Sequence, residues 1–230
     1  LGREQRRWLK AQLHYASENT LQVIFCMHHN LYAHNPAVNK GYVVDDYREL
    51  RKLLAQYNVK LVFSGHIHAQ NIMLPQDPCP ATEVVTASFC SNDQGYGVVK
   101  VSPKEVSYTC YHFKMKDYLT DKEKQNWTLT HFHDYLENIQ LGTISAELMQ
   151  KDLYQNHYDL DTVRKMGRLF GEMNYHFFTG KNHIESEELQ KLKKSPIYQR
   201  LIADNPHYEL YLQTLYDMSN HDNLHVKIKY

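Results

Sequence analysis

The sequence has little that would punctuate or staple a chain. Nine glycines and seven prolines in 230 residues exclude collagen-like and Pro/Gly-rich low-complexity architectures. The four cysteines, Cys26, Cys79, Cys90 and Cys110, lie far apart with no C-x-x-C. That excludes a thiolate zinc ribbon and a disulfide framework, and they read as small core residues of strands. Net charge is also missing, since 26 Lys and Arg face 26 Asp and Glu. Bulk electrostatic binding to a nucleic-acid backbone or an acidic membrane is therefore not expected. No apolar run approaches the roughly 20 residues that span a bilayer, and no signal peptide is visible within the 230 residues, which start Leu1-Gly2. Thiols placed in strands lean towards a reducing cytoplasm.

What is present fits one large or two small globular domains. Hydrophobic residues make up 42 % and charged ones 23 %, enough for a core that needs no staples. Residues 1–17 have helical spacing through Trp8, Leu9, Leu13 and Ala16. Residues 21–27 and 59–64 are continuous apolar runs of the kind found in strands covered on both faces. Between them Tyr47, Leu50, Leu53 and Leu54 step as a helix, which makes a βαβ unit with parallel strands. Short strands are expected at 70–74, 83–88, 96–101 and 106–113, separated by turn residues, as an antiparallel meander.

Helical signals begin near residue 119. Thr120 and Glu123 fit a capping box. Val163, Met166, Phe170, Met173 and Phe177 form one apolar stripe, and Tyr208, Tyr211, Leu212, Leu215 and Met218 another. The reading is two domains, 1–118 and 119–230. Residues 1–118 carry 13 basic and 10 acidic side chains and residues 119–230 carry 13 and 16, so both surfaces are ordinary.

Fifteen histidines are the unusual feature. His28 and His29 follow the first parallel strand. Gly65-His66-Ile67-His68 follows the second. Ligands bind at the carboxyl ends of parallel strands because adjacent loops converge there, so the two strands can deliver imidazoles to one place. Two histidines one residue apart point in different directions and can reach two metals about 3.5–4 Å apart. Gly65 is expected to allow the sharp departure from the strand. A solvated or pH-sensitive rim is the plain alternative. The remaining histidines, among them His131, His133, His157, His176, His183, His207, His221 and His225, read as core or surface residues.

Met27-His28-His29-Asn30 and Ser64-Gly65-His66-Ile67-His68 resemble the last two metal-binding motifs of the calcineurin-like metallophosphoesterases. Glu4 to Leu9 resembles the helix preceding those motifs, and Glu83–Phe89 through Gly95–Val99 resembles the closing strands. The resemblance covers residues 1 to about 113. It implies a layered α/β (α+β) metallophosphoesterase-type β-sandwich with flanking helices, of which only the carboxy-terminal half is in view, followed by an all-α helical bundle that covers or flanks the active-site mouth. It further implies that His28 and His66 bind one divalent ion and His68 a second, with His29 lining the substrate pocket in a catalytic role. The family's chemistry is two-metal in-line hydrolysis of phosphoesters. Imidazole suits Mn, Fe and Zn alike. A small phosphodiester, first of all a cyclic nucleotide, is the expected substrate. Asn30 stands where many members carry proline, a departure expected to leave the ligands unaffected.

Three earlier motifs of that family, Asp-x-His, Gly-Asp-x-x-Asp and Gly-Asn-His-Asp/Glu, are not found before His28. Gly180-Lys-Asn182-His183-Ile-Glu185 echoes the third only superficially. The expectation is a piece of a longer enzyme, inactive alone, bound to its own amino-terminal half or self-associated through exposed strands. A non-catalytic scaffold or binding module with a degenerate metal site is the alternative.

Overall fold

The computed structural model describes residues 1–90, 94–137, 158–216 and 222–230. Met218, His157 and His221 lie outside them, so the readings placed on those residues end there. The chain forms two compact units, one of residues 1–87, 97–110 and 222–230 and the other of 88–96 and 111–221.

The first unit is a mixed α/β body. Helix α1 (Arg3–Glu18) opens with the Gly2 N–H donating to Gln5 Oε1 at 3.0 Å. It buries Leu9, Leu13 and Ala16. Trp8, which the helical spacing had grouped with them, is 64 % exposed. It sits about one residue step, roughly 100°, around the helix from Leu9. Strand β1 (Ile24–Cys26), helix α2 (Tyr47–Gln56) and strand β2 (Leu61–Ser64) form the expected βαβ unit. The two strands are parallel, with Ile24 opposite Leu61 and Cys26 opposite Phe63.

Strands β3 (Asn71–Met73) and β4 (Thr82–Val85) do not belong to a meander. Strand β4 inserts next to β2 and runs parallel to it, while β3 pairs antiparallel on its outer side, giving the order β1-β2-β4-β3. All four residues of β4 are buried. A central strand with parallel and antiparallel neighbours is covered on both faces. Strands β5 (Gly95–Val101), β6 (Glu105–His112) and β7 (His225–Lys229) make a second sheet in that order. Strand β7 lies within 119–230, a range that reads as helical from the sequence. Its Val226 and Ile228 alternate with polar residues and pair antiparallel with Tyr108 and Val106.

Two apolar layers result. Leu9, Leu13, Leu50, Leu54, Val59 and Val62 join the helices to one face of the first sheet. Leu61, Ile72 and Val84 meet Val106, Tyr108 and Ile228 across the other. At Gly97 a side chain would stand 2.3 Å from the Tyr108 ring, so only glycine allows this approach. Burial raises the Tyr108 hydroxyl pKa, and the hydroxyl donates to Gln70 Oε1 at 2.9 Å. The Cys110 N–H donates to the Leu224 carbonyl at 2.8 Å. Of the cysteines, Cys79 and Cys110 are buried, whereas Cys26 and Cys90 are exposed. Cys26 ends an edge strand and Cys90 sits in a turn, so neither is the core residue expected.

The second unit holds α3 (Trp127–Thr130), α4 (Leu160–Phe178), α5 (Ser186–Lys193), α6 (Pro196–Asp204) and α7 (His207–Thr214). Met166, Phe170, Met173 and Phe177 of the α4 stripe are buried. The α4 cap is Asp159, whose carboxylate accepts from the Thr162 N–H and hydroxyl at 2.9 and 2.7 Å. Ser195 caps α6 ahead of Pro196 at its first turn. The Thr120–Glu123 capping box forms but opens only a 3-10 turn, Glu123–Gln125. Among the described residues no helix is long and apolar enough to cross a membrane.

Candidate metal centre

The two histidine-bearing loops leave adjacent parallel strands and are bonded to each other at once. The Met27 N–H donates to the Phe63 carbonyl at 2.9 Å, and the Gly65 N–H donates to the His28 carbonyl at 3.1 Å. The backbone thus keeps the first sheet's pairing going for one more step, just where the side chains turn into imidazoles.

Three rings gather there. His28 Nε2 and His66 Nδ1 are 3.0 Å apart. The His29 ring centroid lies 4.4 Å from that of His66 and 5.4 Å from that of His28. Tyr42 adds a ring 5.2 Å from His66. His66 Nε2 is 3.1 Å from the Gly41 carbonyl oxygen. A carbonyl only accepts, so this assigns the proton of His66 to Nε2 and leaves a lone pair on Nδ1. His28 Nε2–H is then the donor of the imidazole–imidazole bond. His68 is exposed and has no ring contact with the other three among the described residues.

The sharp turn falls on other residues than expected. His66 and His68 take the left-handed backbone, at φ 64° and 58°, while Gly65 does not. A side chain at Gly65 would meet only the His28 carbonyl oxygen, at 4.0 Å. Left-handed non-glycine residues cost on the order of 1 kcal/mol each and gather at functional sites.

The donor set suits a divalent cation. Imidazole nitrogens are its usual neutral ligands. A ring that donates its other N–H to a backbone carbonyl, as His66 does to Gly41, is held in the ligating tautomer. Two nitrogens 3.0 Å apart subtend roughly a right angle at an ion about 2.1 Å from each. Among the described residues, however, no three His, Cys, Asp or Glu side chains converge to hold a metal ion.

Residues 1–70 match the family model for calcineurin-like phosphoesterase. The likeness to that family is confined to this segment. Residues 114–222 match the model described as the C-terminal domain of cyclic nucleotide phosphodiesterase. No curated protein matches the chain. The matched segment ends two residues past His68, so it contains every histidine singled out by the strand-end argument.

That argument missed the residues beneath the rings. Asn30 is 1 % exposed. Its side-chain amide donates to Ser64 Oγ and to the Gly65 carbonyl at 3.1 and 2.9 Å, and its N–H donates to the Tyr42 carbonyl at 2.9 Å. A proline would lose that last bond, so the departure at Asn30 bears directly on loop placement. Glu83 is fully buried and is bonded to the loop after His29 and to Ser64 at the end of β2. The signal was in the sequence, because Glu83 is the one charge in the apolar run Thr82–Val85, and buried charges must be paired. The Gly180–Glu185 echo has a different use. Asn182 is buried and donates to the Leu215 carbonyl at 3.0 Å, and His183 faces Glu185 at 3.2 Å.

Proposed function

We infer that this chain is the ligand-bearing portion of a metal-dependent phosphodiesterase. The observation that carries the inference is the 3.0 Å approach of His28 Nε2 and His66 Nδ1 at the carboxyl ends of adjacent parallel strands, within a calcineurin-like phosphoesterase segment. In this reading His28 and His66 hold one divalent ion, Mn, Fe or Zn, and His68 serves a second. Bound ions supply charge neutralisation at the phosphoryl oxygens and a nucleophile active at neutral pH. Coordination through His28 Nε2 requires its proton to move to Nδ1, whereas His66 already presents a bare Nδ1. His29, beside both rings, lines the pocket and offers an N–H to a phosphoryl or leaving oxygen. A cyclic nucleotide is the proposed substrate, supported by the match of residues 114–222, which in this reading form an all-helical accessory domain.

These 230 residues alone should turn over phosphodiesters poorly. Imidazoles are present, but no carboxylate completes a three-ligand cluster among the described residues. The same observation favours the second reading, a scaffold with a degenerate metal site. The coding sequence upstream of Leu1 separates the two. In-frame Asp-x-His, Gly-Asp-x-x-Asp and Gly-Asn-His motifs, with manganese-dependent cyclic nucleotide hydrolysis lost in His66→Ala, support the enzyme. A stop codon there supports the scaffold. Robust manganese-dependent cleavage of bis-(p-nitrophenyl) phosphate by the 230 residues alone, lost in His66→Ala, would refute the claim of poor activity.

The proposed partner is the amino-terminal half of the same domain type or a second copy of this chain. Strand β1 is an edge of its sheet, and Trp8 and Tyr15, spaced along one side of α1, are 64 % and 59 % exposed. Such edges recruit further strands. Light scattering with mass spectrometry tests this, and a clean 27.3 kDa monomer refutes it.

A further inference from the structure

Glu83 lies on β4, yet it is bonded both to the loop that follows His28–His29 and to Ser64, the last residue of β2, from which the His66–His68 loop departs. Oε1 accepts from the Leu31 N–H at 2.7 Å and from the Ser64 hydroxyl at 2.5 Å. Oε2 accepts from the Tyr32 N–H at 2.8 Å and lies 3.0 Å from His34 Nε2. Leu31 is two residues beyond His29, and Ser64 is two residues before His66. A carboxylate has about four lone-pair sites, and four partners fill them here. The far side of the His34 ring is fixed as well, with Nδ1 2.7 Å from Asn71 Oδ1 on β3. Glu83, His34 and Asn71 are all buried, so water does not compete for these bonds.

Backbone pairing alone does not fix this geometry. The ordered strands β1 and β2 end at Cys26 and Ser64, and the rings that meet at 3.0 Å stand beyond those ends. Backbone pairing continues for one step, through the Gly65 N–H to the His28 carbonyl, and two side-chain links add to it among the described residues. One is Asn30, with its bonds to Ser64 and Gly65. The other is Glu83. They share Ser64 Oγ, which accepts from Asn30 and donates to Glu83, so the two links form one connected network. Two left-handed histidines need such outside support to persist.

We propose that Glu83 is a positioning residue of the metal centre, clamping the His28–His29 loop to the His66–His68 loop so that His28 Nε2 and His66 Nδ1 stay within one coordination sphere. This rests on the reading of His28 and His66 as ligands, and the measurements are chosen to separate the two ideas. Glutamine at position 83 keeps the shape but has a single accepting oxygen, so at least one loop contact faces an amide N–H₂. In the metal-free chain, long-range ¹H–¹⁵N spectra report the imidazole–imidazole bond, with assignments from His28→Ala and His66→Ala. Cobalt(II) titration followed by its visible absorption reports affinity.

Glu83→Gln should shift the His28 Nε2 and His66 Nδ1 resonances and weaken cobalt binding about 10- to 100-fold, as loss of an outer support does. Leu54→Ala is the matched control. Leu54 is fully buried in the same unit, and its loss should lower the melting temperature without moving those resonances. If Glu83→Gln behaves like Leu54→Ala in both measurements, the proposal is overturned. Should Glu83→Gln not fold, Ser64→Ala removes the shared hydroxyl and faces the same two outcomes. If wild type binds no cobalt, or His28→Ala leaves binding unchanged, the ligand reading fails and the imidazole resonances alone decide the role of Glu83.

Discussion

The two units keep their side chains in place by opposite means. In the helical unit the caps are local, and the longer contacts, such as Asn182 to Leu215, span a few tens of residues. Asp159 caps the helix that begins next to it, Ser195 caps the next but one, and Asn174 Nδ2 donates to the Phe170 carbonyl one turn away. In the sheet unit they span long separations. Glu83 reaches back 52 residues to Leu31, Gln70 reaches forward 153 to Asn223, and Lys60 donates to the Lys229 carbonyl 169 residues on. Local contacts make a unit that folds and tolerates change piecemeal. Long-range ones make a unit in which a single buried group can hold several segments.

That contrast can be broken in several ways. The largest effect is expected from Glu83→Leu, which strands two backbone N–H groups, a hydroxyl and a buried histidine. The loss should be on the order of 5 kcal/mol. Native-state hydrogen exchange should show protection lost across β1, β2 and β4 while α4 keeps its protection. Protection lost from α4 in equal measure would show that the units do not unfold separately.

A reciprocal pair of truncations sharpens the same point. Phe170 is 1 % exposed, with Tyr208 and Tyr211 rings at 5.4 and 5.9 Å. Phe170→Ala should cost about 4 kcal/mol within the helical unit. Ile228 is 9 % exposed, and Ile228→Ala should cost about 2 kcal/mol. Although Ile228 follows every helix in the chain, its loss should be read at Val106 and Tyr108 of β6, not in the helices. Exchange at those amides decides it.

His68→Gly has the opposite sign. At φ 58° glycine relieves the strain, so the melting temperature should rise by the equivalent of up to about 1 kcal/mol. The second ion of the proposed centre would lose its ligand at the same time. A fall in melting temperature would show that the His68 side chain is a structural anchor.

The smallest effect is a pH dependence confined to the helical unit. Desolvation holds the His176 pKa below its ordinary value of 6.5, so the unfolded chain binds the proton more readily. His176 therefore favours the folded state above pH 6.5, and that contribution is lost as pH falls below it. Urea midpoints followed through α4 should drop less between pH 7.5 and 5.5 in His176→Gln than in wild type.

The sequence made legible whatever repeats with a short period or ends a strand. The α4 stripe, the βαβ unit and the placing of His28, His29 and His66 all follow from spacing. It did not make legible what depends on strand order. Glu83-Val-Val reads the same whether β4 lies at an edge or beside β2. Only the observed order explains why Glu83 is buried under both loops. Val226 and Ile228 alternate plainly, but nothing local says that their partner is β6, more than a hundred residues earlier. The second domain match, residues 114–222, ends where the chain returns to the sheet unit at Asp222.

The bond from the Cys110 N–H to the Leu224 carbonyl therefore joins the last residue before the helical excursion to one of the first residues after it. Hydrogen-bonded neighbours on antiparallel strands lie only about 5.5 Å apart, a gap that a turn of two residues closes. In genetic terms the helical segment is a cassette between two adjacent stems. Replacing the intervening segment with a two-residue turn is expected to leave the register of β6 on β7, with Val106 opposite Ile228, unchanged.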